Sequence, residues 1–435
     1  MKGDKQLMGY CKNGYSGSGF LRFLGVCGAL LVCGGMLAPP AYADSVRDHQ
    51  WHLDAMKAEE MWKTSTGEGV VIAVIDSGVD AGRSELRGQV LEGKDFTSLP
   101  GDARVDSQGH GTKMAELIAS TGIGEGRQGG YGLAPGAKIL PLRVTYEGPD
   151  ASADFRSQVT KAIRHAADSD ARIINMSLGF AVGSRELSEA VRYAMSKDVL
   201  LFAAAGNAGE YDAPVDHPAA TIGVVAVAAL GRDVRATASS QHGPEVDLSA
   251  PGEEIVTSCG HRSGYCIGEG TSDATALASA SAALIWSKHP DWTANQVLRV
   301  MINTAGGPTD GVERNYYIGY GAVRPRIALT NPGDPGPPDV SPLPEVVAAQ
   351  KAEEKAQDKR EASAKPDADG RGPAVKESAS AVAVQGEDDG GPVMWAAAGA
   401  GVLVVGAGLG FVLTRRRRSA QQSAAGFGPP PSSWR

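Results

Sequence analysis

The sequence is short of cysteine and aromatic residues and carries no excess of positive charge. Its 435 residues include 5 cysteines, and aromatic residues make up 6% of the chain. The formal net charge is −8, so no basic face for a nucleic acid is predicted. The absence of aromatic clusters disfavours a module that binds extracellular carbohydrate. No group of side chains has the spacing of a calcium loop, so we predict neither a metal nor a cofactor.

The N-terminus has the pattern of a secretory signal peptide. Lys12 and Arg22 are followed by the apolar run FLGVCGALLVCGGMLA and then by the small-residue segment PPAYADS. A charged region, an apolar region and an Ala-x-Ala site in this order predict cleavage after Ala43. A membrane anchor is the alternative, which the short apolar run and the cleavage site disfavour. Residues 1–43 are therefore predicted to be removed.

Cleavage after Ala43 would leave only Cys259 and Cys266, because the other three cysteines lie within the signal peptide. A secreted chain folds in an oxidising compartment, where a lone pair of cysteines at short separation favours a disulfide. We therefore predict a bridge between these two residues.

The C-terminal end has the pattern of a membrane span. Residues 393–413 are uncharged and long enough to cross a bilayer, and the basic run Arg415–Arg418 follows at once. The basic run disfavours a buried helix and, by the positive-inside rule, predicts a cytoplasmic tail over residues 414–435. The protein is thus predicted to lie at the cell membrane as a single-pass protein with its main domain outside.

The preceding residues, 331–392, differ in composition from the rest of the chain. The segment NPGDPGPPDVSPLPE should be extended and stiff, and AAQKAEEKAQDKREASAKPDADGRG is charged and poor in apolar residues. We predict a Pro-rich and charged disordered linker, with transient helix at most. Residues 67–330 then form one globular domain, preceded by an N-terminal extension over residues 44–66.

Inside this domain, short apolar runs alternate with helical patterns. GVVIAVIDSG, ARIINMSLG, VLLFAAAGN and TIGVVAVAAL are typical of strands buried on both faces, whereas SADFRSQVTKAIRHAAD and SRELSEAVRYAMSKD have helical spacing. The alternation predicts an α/β fold of three layers, with a mostly parallel central sheet flanked by helices. In such folds functional groups gather beyond the carboxyl ends of the strands.

Three motifs carry candidate catalytic residues. VIDSGVD contains Asp76 at a strand end, GHGT contains His110 at the start of a helix, and GEGTSDATALAS contains Ser272 at the start of another. Each residue alone has an ordinary alternative as a turn residue, a buried imidazole or a helix cap. Together they supply a nucleophile, a base and a carboxylate that orients the base. No G-x-S-x-G elbow surrounds Ser272, which argues against an α/β-hydrolase.

The motifs VIDSGVD, GHGT and GTS, in this order, resemble those of subtilisin-like serine proteases over about residues 67–305. The resemblance implies a serine endopeptidase that acts on peptide or protein substrates through Asp76, His110 and Ser272. The segment AAAGNAG resembles the family's oxyanion segment, which implies that the Asn207 side chain and the Ser272 backbone N–H stabilise the oxyanion.

The same resemblance implies a substrate cleft with two walls. NMSLG is similar to the strand that pairs with the substrate backbone, which assigns Ser177, Leu178 and Gly179 to the cleft. Ala205 and Gly206 are implied to form the opposite wall.

A narrower resemblance concerns QWHLDAMKAEEMWKTSTGEGVVIAVID and the order of segments, which are similar to those of mycosins, the membrane-anchored subtilases of type VII secretion systems. It implies a link to type VII protein secretion and a membrane complex as partner. The sequence departs from the subtilase pattern at Ala276, where the family usually has proline. The extra N–H is predicted to draw Ser272 into the helix. The alternative function is therefore a weakly active or inactive domain that braces a secretion complex.

Overall fold

The computed structural model describes residues 45–124, 129–145, 151–259, 264–309 and 311–364. Of residues 151–153 and 361–364 only the backbone is described. The predicted signal peptide, membrane span and cytoplasmic tail lie outside these ranges. Among the helices within them, none is both long and apolar enough to cross a membrane.

The strands are β1 Val71–Asp76, β2 Lys94–Asp95, β3 Lys138–Arg143, β4 Ala171–Met176, β5 Leu200–Ala204, β6 Val225–Leu230, β7 Val246–Pro251, β8 Ile255–Ser258 and β9 Tyr265–Gly268. The helices are α1 Val46–His49, α2 Trp51–Met56, α3 Ala58–Trp62, α4 His110–Ala119, α5 Ala151–Ala167, α6 Arg185–Ser196, α7 Thr271–Lys288, α8 Ala294–Asn303, α9 Pro325–Thr330 and α10 Pro344–Ala364.

Seven strands form one parallel sheet in the order β2-β3-β1-β4-β5-β6-β7, and β8 and β9 form a separate antiparallel hairpin. The predicted α/β fold with a mostly parallel central sheet is confirmed. The strand order reverses at β1, whose neighbours β3 and β4 come later in the chain. Asp76 ends β1 and so stands at the switch point where ligands bind in such sheets.

The two faces of the sheet are covered by different helices. Ile72 and Val74 of β1 join the core formed with α4 and α7, whereas Ala73 and Ile75 join the core formed with α5 and α6. Alternation of buried side chains to both faces explains why this strand has no polar residue before Asp76.

Helix α7 is buried along most of its length. Its residues from Asp273 to Trp286 are all at most 1% exposed. Alanine and serine predominate among them, and small side chains let the helix approach the sheet and its neighbours closely. The burial fixes the position of the helix, and therefore of the residues in its first turn.

The N-terminal extension is part of the globular unit. Trp51, Leu53 and Met61 are at most 3% exposed within the same core as α7. The Trp51 indole donates to the Glu254 carbonyl over 3.0 Å, and the Gln50 side chain donates to the Tyr131 carbonyl over 2.8 Å. Burial of these side chains explains the apolar spacing of a segment that precedes the first strand.

The first part of the segment predicted to be a disordered linker is ordered in the structure, which describes residues 331–364 of it. Leu343 and Val346 are at most 2% exposed, and the Arg299 guanidinium donates to the carbonyls of Pro335, Pro337 and Val340. The half-buried Arg299 side chain of α8 and two buried apolar residues hold an otherwise polar segment against this helix. A groove of about 1220 Å³ separates α6 and α8 from this segment, and no candidate catalytic residue lines it.

Candidate active site

Asp76 and His110 are brought together by β1 and the first residue of α4. The His110 Nδ1 atom lies 2.8 Å and 3.0 Å from the two Asp76 carboxylate oxygens. Asp76 is 5% exposed, whereas the His110 side chain is 40% exposed. A Cβ on Gly111 would lie 2.1 Å from the Gly78 carbonyl oxygen, which explains the glycine after His110. Asp76 therefore holds the His110 ring at Nδ1, while the rest of the ring remains accessible to solvent.

The carboxylate also sets the charge of the imidazole. The nearby Asp76 charge raises the pKa of His110, against the opposing effect of burial. A hydrogen bond from Nδ1–H to Asp76 leaves Nε2 as the proton-accepting atom of the neutral ring. The pair can thus take up a proton at Nε2 and stabilise the resulting imidazolium.

Asp106 holds the turn before His110, a role that the sequence analysis missed. One of its carboxylate oxygens accepts from the Gly109 N–H over 2.8 Å, and the other accepts from the Thr112 N–H over 2.9 Å. Ser77 donates to Asp106 over 2.9 Å and accepts from the Gly111 N–H over 3.0 Å. These bonds satisfy N–H groups at the start of α4 that have no partner in the helix. The usual capping signal could not identify it, because Asp106 lies four residues before His110 and the capping position itself is Gly109.

Ser272 lies in the first turn of α7 and is bonded to the end of β4. Its Oγ donates to the Ser177 carbonyl over 3.2 Å, and the Ser177 Oγ donates to the Ser272 carbonyl over 2.9 Å. Among the described hydrogen bonds, none joins Ser272 to His110. In an unliganded site a catalytic hydrogen bond is often long and tightens only when substrate binds.

The helix already includes Ser272, as the interpretation of Ala276 requires. Helix α7 begins at Thr271, and Ala276 is completely buried in its second turn. The carbonyl of Ser272 accepts from Ser177 as well. The predicted effect of Ala276 on turnover stays a prediction.

Asn207 follows β5 and is held by the residue before Ser272. Its Oδ1 accepts from the Thr271 N–H over 2.9 Å and from the Thr271 hydroxyl over 3.0 Å. These two donors fix the orientation of the amide and leave Nδ2 as a donor beside the nucleophile. Gly270 makes room for the Asn207 amide, because a Cβ on Gly270 would lie 3.1 Å from the Asn207 Nδ2 atom.

The predicted cleft walls follow neighbouring strands. Ser177, Leu178 and Gly179 follow β4, and Ala205 and Gly206 follow β5. The two strands are paired in parallel, so the segments leave the same edge of the sheet. The structure therefore brings all the predicted cleft residues to the edge that carries Asp76.

Cys259 and Cys266 are joined in a disulfide with their Cα atoms 5.6 Å apart. Cys259 comes directly after β8 and Cys266 lies in β9, so the bridge closes the hairpin that leads into α7. In the described parts of the chain, no group of three or more His, Cys, Asp or Glu side chains could hold a metal ion.

A buried ion pair beside the candidate triad was not predicted. Lys113 lies one turn after His110, and its Nζ is 2.6 Å from an Asp273 carboxylate oxygen. Asp273, directly after Ser272, is only 1% exposed, and burial raises the pKa of its carboxyl. A Cβ on Gly268 would lie 2.0 Å from the Lys113 Nζ, so this glycine leaves space for the ammonium group. The pair ties the helix of the base to the helix of the nucleophile.

We expect Lys113→Met to lower the free energy of unfolding by about 3 kcal/mol, because it leaves the buried Asp273 without its partner. The raised pKa means that folded Asp273 holds its proton above the ordinary aspartate range. The loss should therefore be smallest in acid and grow as pH rises above the ordinary aspartate range, where the folded carboxyl ionises. Urea unfolding at several pH values measures it.

Two further variants test the cause of this loss. Adding Asp273→Asn to Lys113→Met should recover most of the stability, since no buried charge is left. Arg185→Met removes an ion pair whose arginine is 86% exposed, and it should change the free energy of unfolding far less than Lys113→Met does. Equal losses in Lys113→Met and Arg185→Met would show that burial does not matter here.

Comparison with known proteins places this geometry in a family. The model of the subtilase family matches residues 67–323. A subtilisin of Bacillus sp. (strain TA39) is 36% identical over 298 residues, which cover 62% of this chain and 69% of the relative. Thermitase of Thermoactinomyces vulgaris is 33% identical over 256 residues, covering 59% of this chain and 88% of the relative.

Solved structures of mycosins are also similar to this chain. MycP1 from Mycobacterium smegmatis has a TM-score of 0.59 at 26% identity, covering 70% of this chain and 90% of that one. The MycP3 protease from the type VII (ESX-3) secretion system has a TM-score of 0.58 at 29% identity, covering 67% and 90%. The predicted resemblance to mycosins is confirmed. The chain belongs to the subtilase family and is a serine endopeptidase.

Proposed function

We propose that the protein is a membrane-anchored extracellular endopeptidase that cleaves peptide bonds through Asp76, His110 and Ser272. The observation that carries the proposal is the bond of 2.8 Å between Asp76 and His110 at the sheet edge where Ser272 lies in the first turn of α7. If Ser272 were only a helix cap and His110 only a buried histidine, neither would need to lie at the same sheet edge as Asp76.

The reaction begins with rotation of the Ser272 hydroxyl from the Ser177 carbonyl towards Nε2 of His110. His110 accepts the hydroxyl proton as Oγ attacks the substrate carbonyl carbon, and Asp76 stabilises the imidazolium. The imidazolium then gives this proton to the leaving amine as the acyl-enzyme forms. Water, activated by the same His110, releases the acid product and restores Ser272.

Two donors meet the oxyanion of the tetrahedral intermediate. The Ser272 N–H lies in the first turn of α7, where helix N–H groups have no intrahelical partner. The Asn207 Nδ2 is the second donor, because its amide oxygen is already bonded to Thr271. Both are fixed before substrate binds, which is what makes such donors effective.

The substrate backbone would pair with Ser177, Leu178 and Gly179 by strand addition. The bond from the Asn175 amide to the Ser177 hydroxyl, 3.1 Å long, supports this wall from behind. Pairing through the main chain binds the peptide in extended form, and side-chain pockets then decide which peptides fit.

Location and partners rest on the sequence and on the mycosin relatives. The predicted signal peptide and span support a domain outside the cell membrane with a cytoplasmic tail. The similar proteases MycP1 and MycP3 belong to type VII secretion systems, which supports a role beside a secretion membrane complex. The alternative, a weakly active structural domain, is favoured by the bond from Ser272 to Ser177 and by Ala276.

A Ser-directed fluorophosphonate separates these functions. We expect it to label the purified full-length protein and the adduct to lie on Ser272 when peptides are analysed by mass spectrometry. Protein unfolded in urea is the control and should not react. A folded protein that stays unlabelled would favour the structural alternative.

A further inference from the structure

The backbone of Asp216 and His217 bridges the two predicted walls of the substrate cleft, and we call this pair of residues the floor. The Asp216 N–H donates to the Ala205 carbonyl over 3.0 Å. His217 and Phe180 exchange backbone hydrogen bonds of 2.8 Å and 2.9 Å. The floor is thus bonded to the continuation of both cleft walls.

The carboxylate of Asp216 lies against the glycine of each wall. A Cβ on Gly179 would lie 2.9 Å from the Asp216 Oδ2 atom, and a Cβ on Gly206 would lie 2.8 Å from it. Gly206 has φ +111°, which also favours glycine. A side chain at Gly179 would collide with the carboxylate, and one at Gly206 would collide first with Gln241 Oε1, at 2.0 Å, and then with the carboxylate, so both glycines leave room for it between the walls.

Within the described chain no lysine or arginine neutralises this carboxylate; the neighbouring His217 lowers its pKa, but burial lowers the pKa of that imidazole in turn. Asp216 forms no ion pair with lysine or arginine in the described ranges, and its side chain is bonded to Gln241. Gln241 is in turn fixed, because its amide oxygen accepts from the Ala208 N–H over 3.1 Å. A half-buried carboxylate held in place without a cation is incompletely stabilised, and burial accordingly raises its pKa.

The cleft lies directly beside the nucleophile. One wall begins with Ser177, whose carbonyl accepts from Ser272, and the other ends at Asn207, bonded to Thr271. The substrate side chain that enters between these walls therefore belongs to the residue on the N-terminal side of the cleaved bond, the P1 residue.

We propose that Asp216 selects substrates with lysine or arginine at P1. This inference rests on the proposed endopeptidase function and names its substrate class. The methylenes of such a side chain fit between the small walls, and its cationic group reaches the floor. A charge-assisted hydrogen bond then completes the stabilisation of the carboxylate.

The test compares two peptidyl phosphonates that differ only at P1, one with an arginine-like and one with a leucine side chain. In both, the Ser272 Oγ attacks phosphorus and displaces an alkoxide or phenoxide leaving group, so a stable phosphonyl ester forms without turnover and a slow enzyme can still be measured. For the full-length protein we expect the arginine-like reagent to react about 10- to 100-fold faster. Asp216→Asn, which keeps the size of the side chain, should abolish that preference.

Asp212→Asn is the matched control, because this carboxylate is in the same loop but 92% exposed. It should keep the wild-type preference. Equal or faster labelling of wild type by the leucine reagent, or an unchanged ratio in Asp216→Asn, would overturn the inference while leaving the proposed function intact. If neither phosphonate nor the fluorophosphonate labels the folded protein, both the P1 preference and the proposed endopeptidase function are overturned.

Discussion

Ser272→Ala should abolish peptide hydrolysis, with kcat falling on the order of 10⁶-fold. Alanine has no oxygen to form the acyl-enzyme, while the buried helix that carries it is held by many other contacts. The expected loss is therefore catalytic, and the free energy of unfolding should change by about 1 kcal/mol at most. Hydrolysis of a casein or fluorogenic peptide substrate and urea unfolding measure the two quantities.

His110→Ala should match Ser272→Ala, and the double variant should be no slower than either single variant, because members of a triad act as a unit. Ser188→Ala is a suitable control, since Ser188 also lies near the start of a helix but outside the cleft. Undiminished hydrolysis by Ser272→Ala would exclude it as the nucleophile.

Asp76→Asn should lower kcat about 10⁴-fold, because an amide no longer fixes the tautomer with Nε2 as the base. The pH dependence should change as well. His110 must be neutral to accept a proton, and Asp76 raises its pKa, so wild-type kcat/KM should fall as pH drops through a value above the ordinary 6.5. Without the carboxylate charge, this acid limb should move to lower pH.

Asp80→Asn provides the control for Asp76→Asn. Asp80 is an exposed carboxylate in the same loop, and its side chain accepts from the Gly82 N–H rather than from His110. It should leave both the rate and the acid limb unchanged. An acid limb at the same pH in Asp76→Asn and wild type would contradict the assignment of Asp76 as the partner of the base.

The sequence determined the layers of the fold and the candidate catalytic residues. Apolar runs alternating with helical patterns report burial on two faces, and that periodicity is a local property of the chain. Asp76, His110 and Ser272 are each marked by neighbouring glycines and by a place at the end of an element, which are also local features. For the same reason the burial of Leu343 and Val346 was not predicted, since each is an isolated apolar residue in a polar segment.

Only the tertiary structure decided which side chains meet. Lys113 and Asp273 are 160 residues apart, and nothing near either residue indicates the other. The direction of the Ser272 hydroxyl depends on the Ser177 carbonyl, 95 residues away. Asp216 gains its place between Gly179 and Gly206 only when two strands and a loop pack together. Such contacts depend on packing between distant segments, and a local pattern carries no information about them.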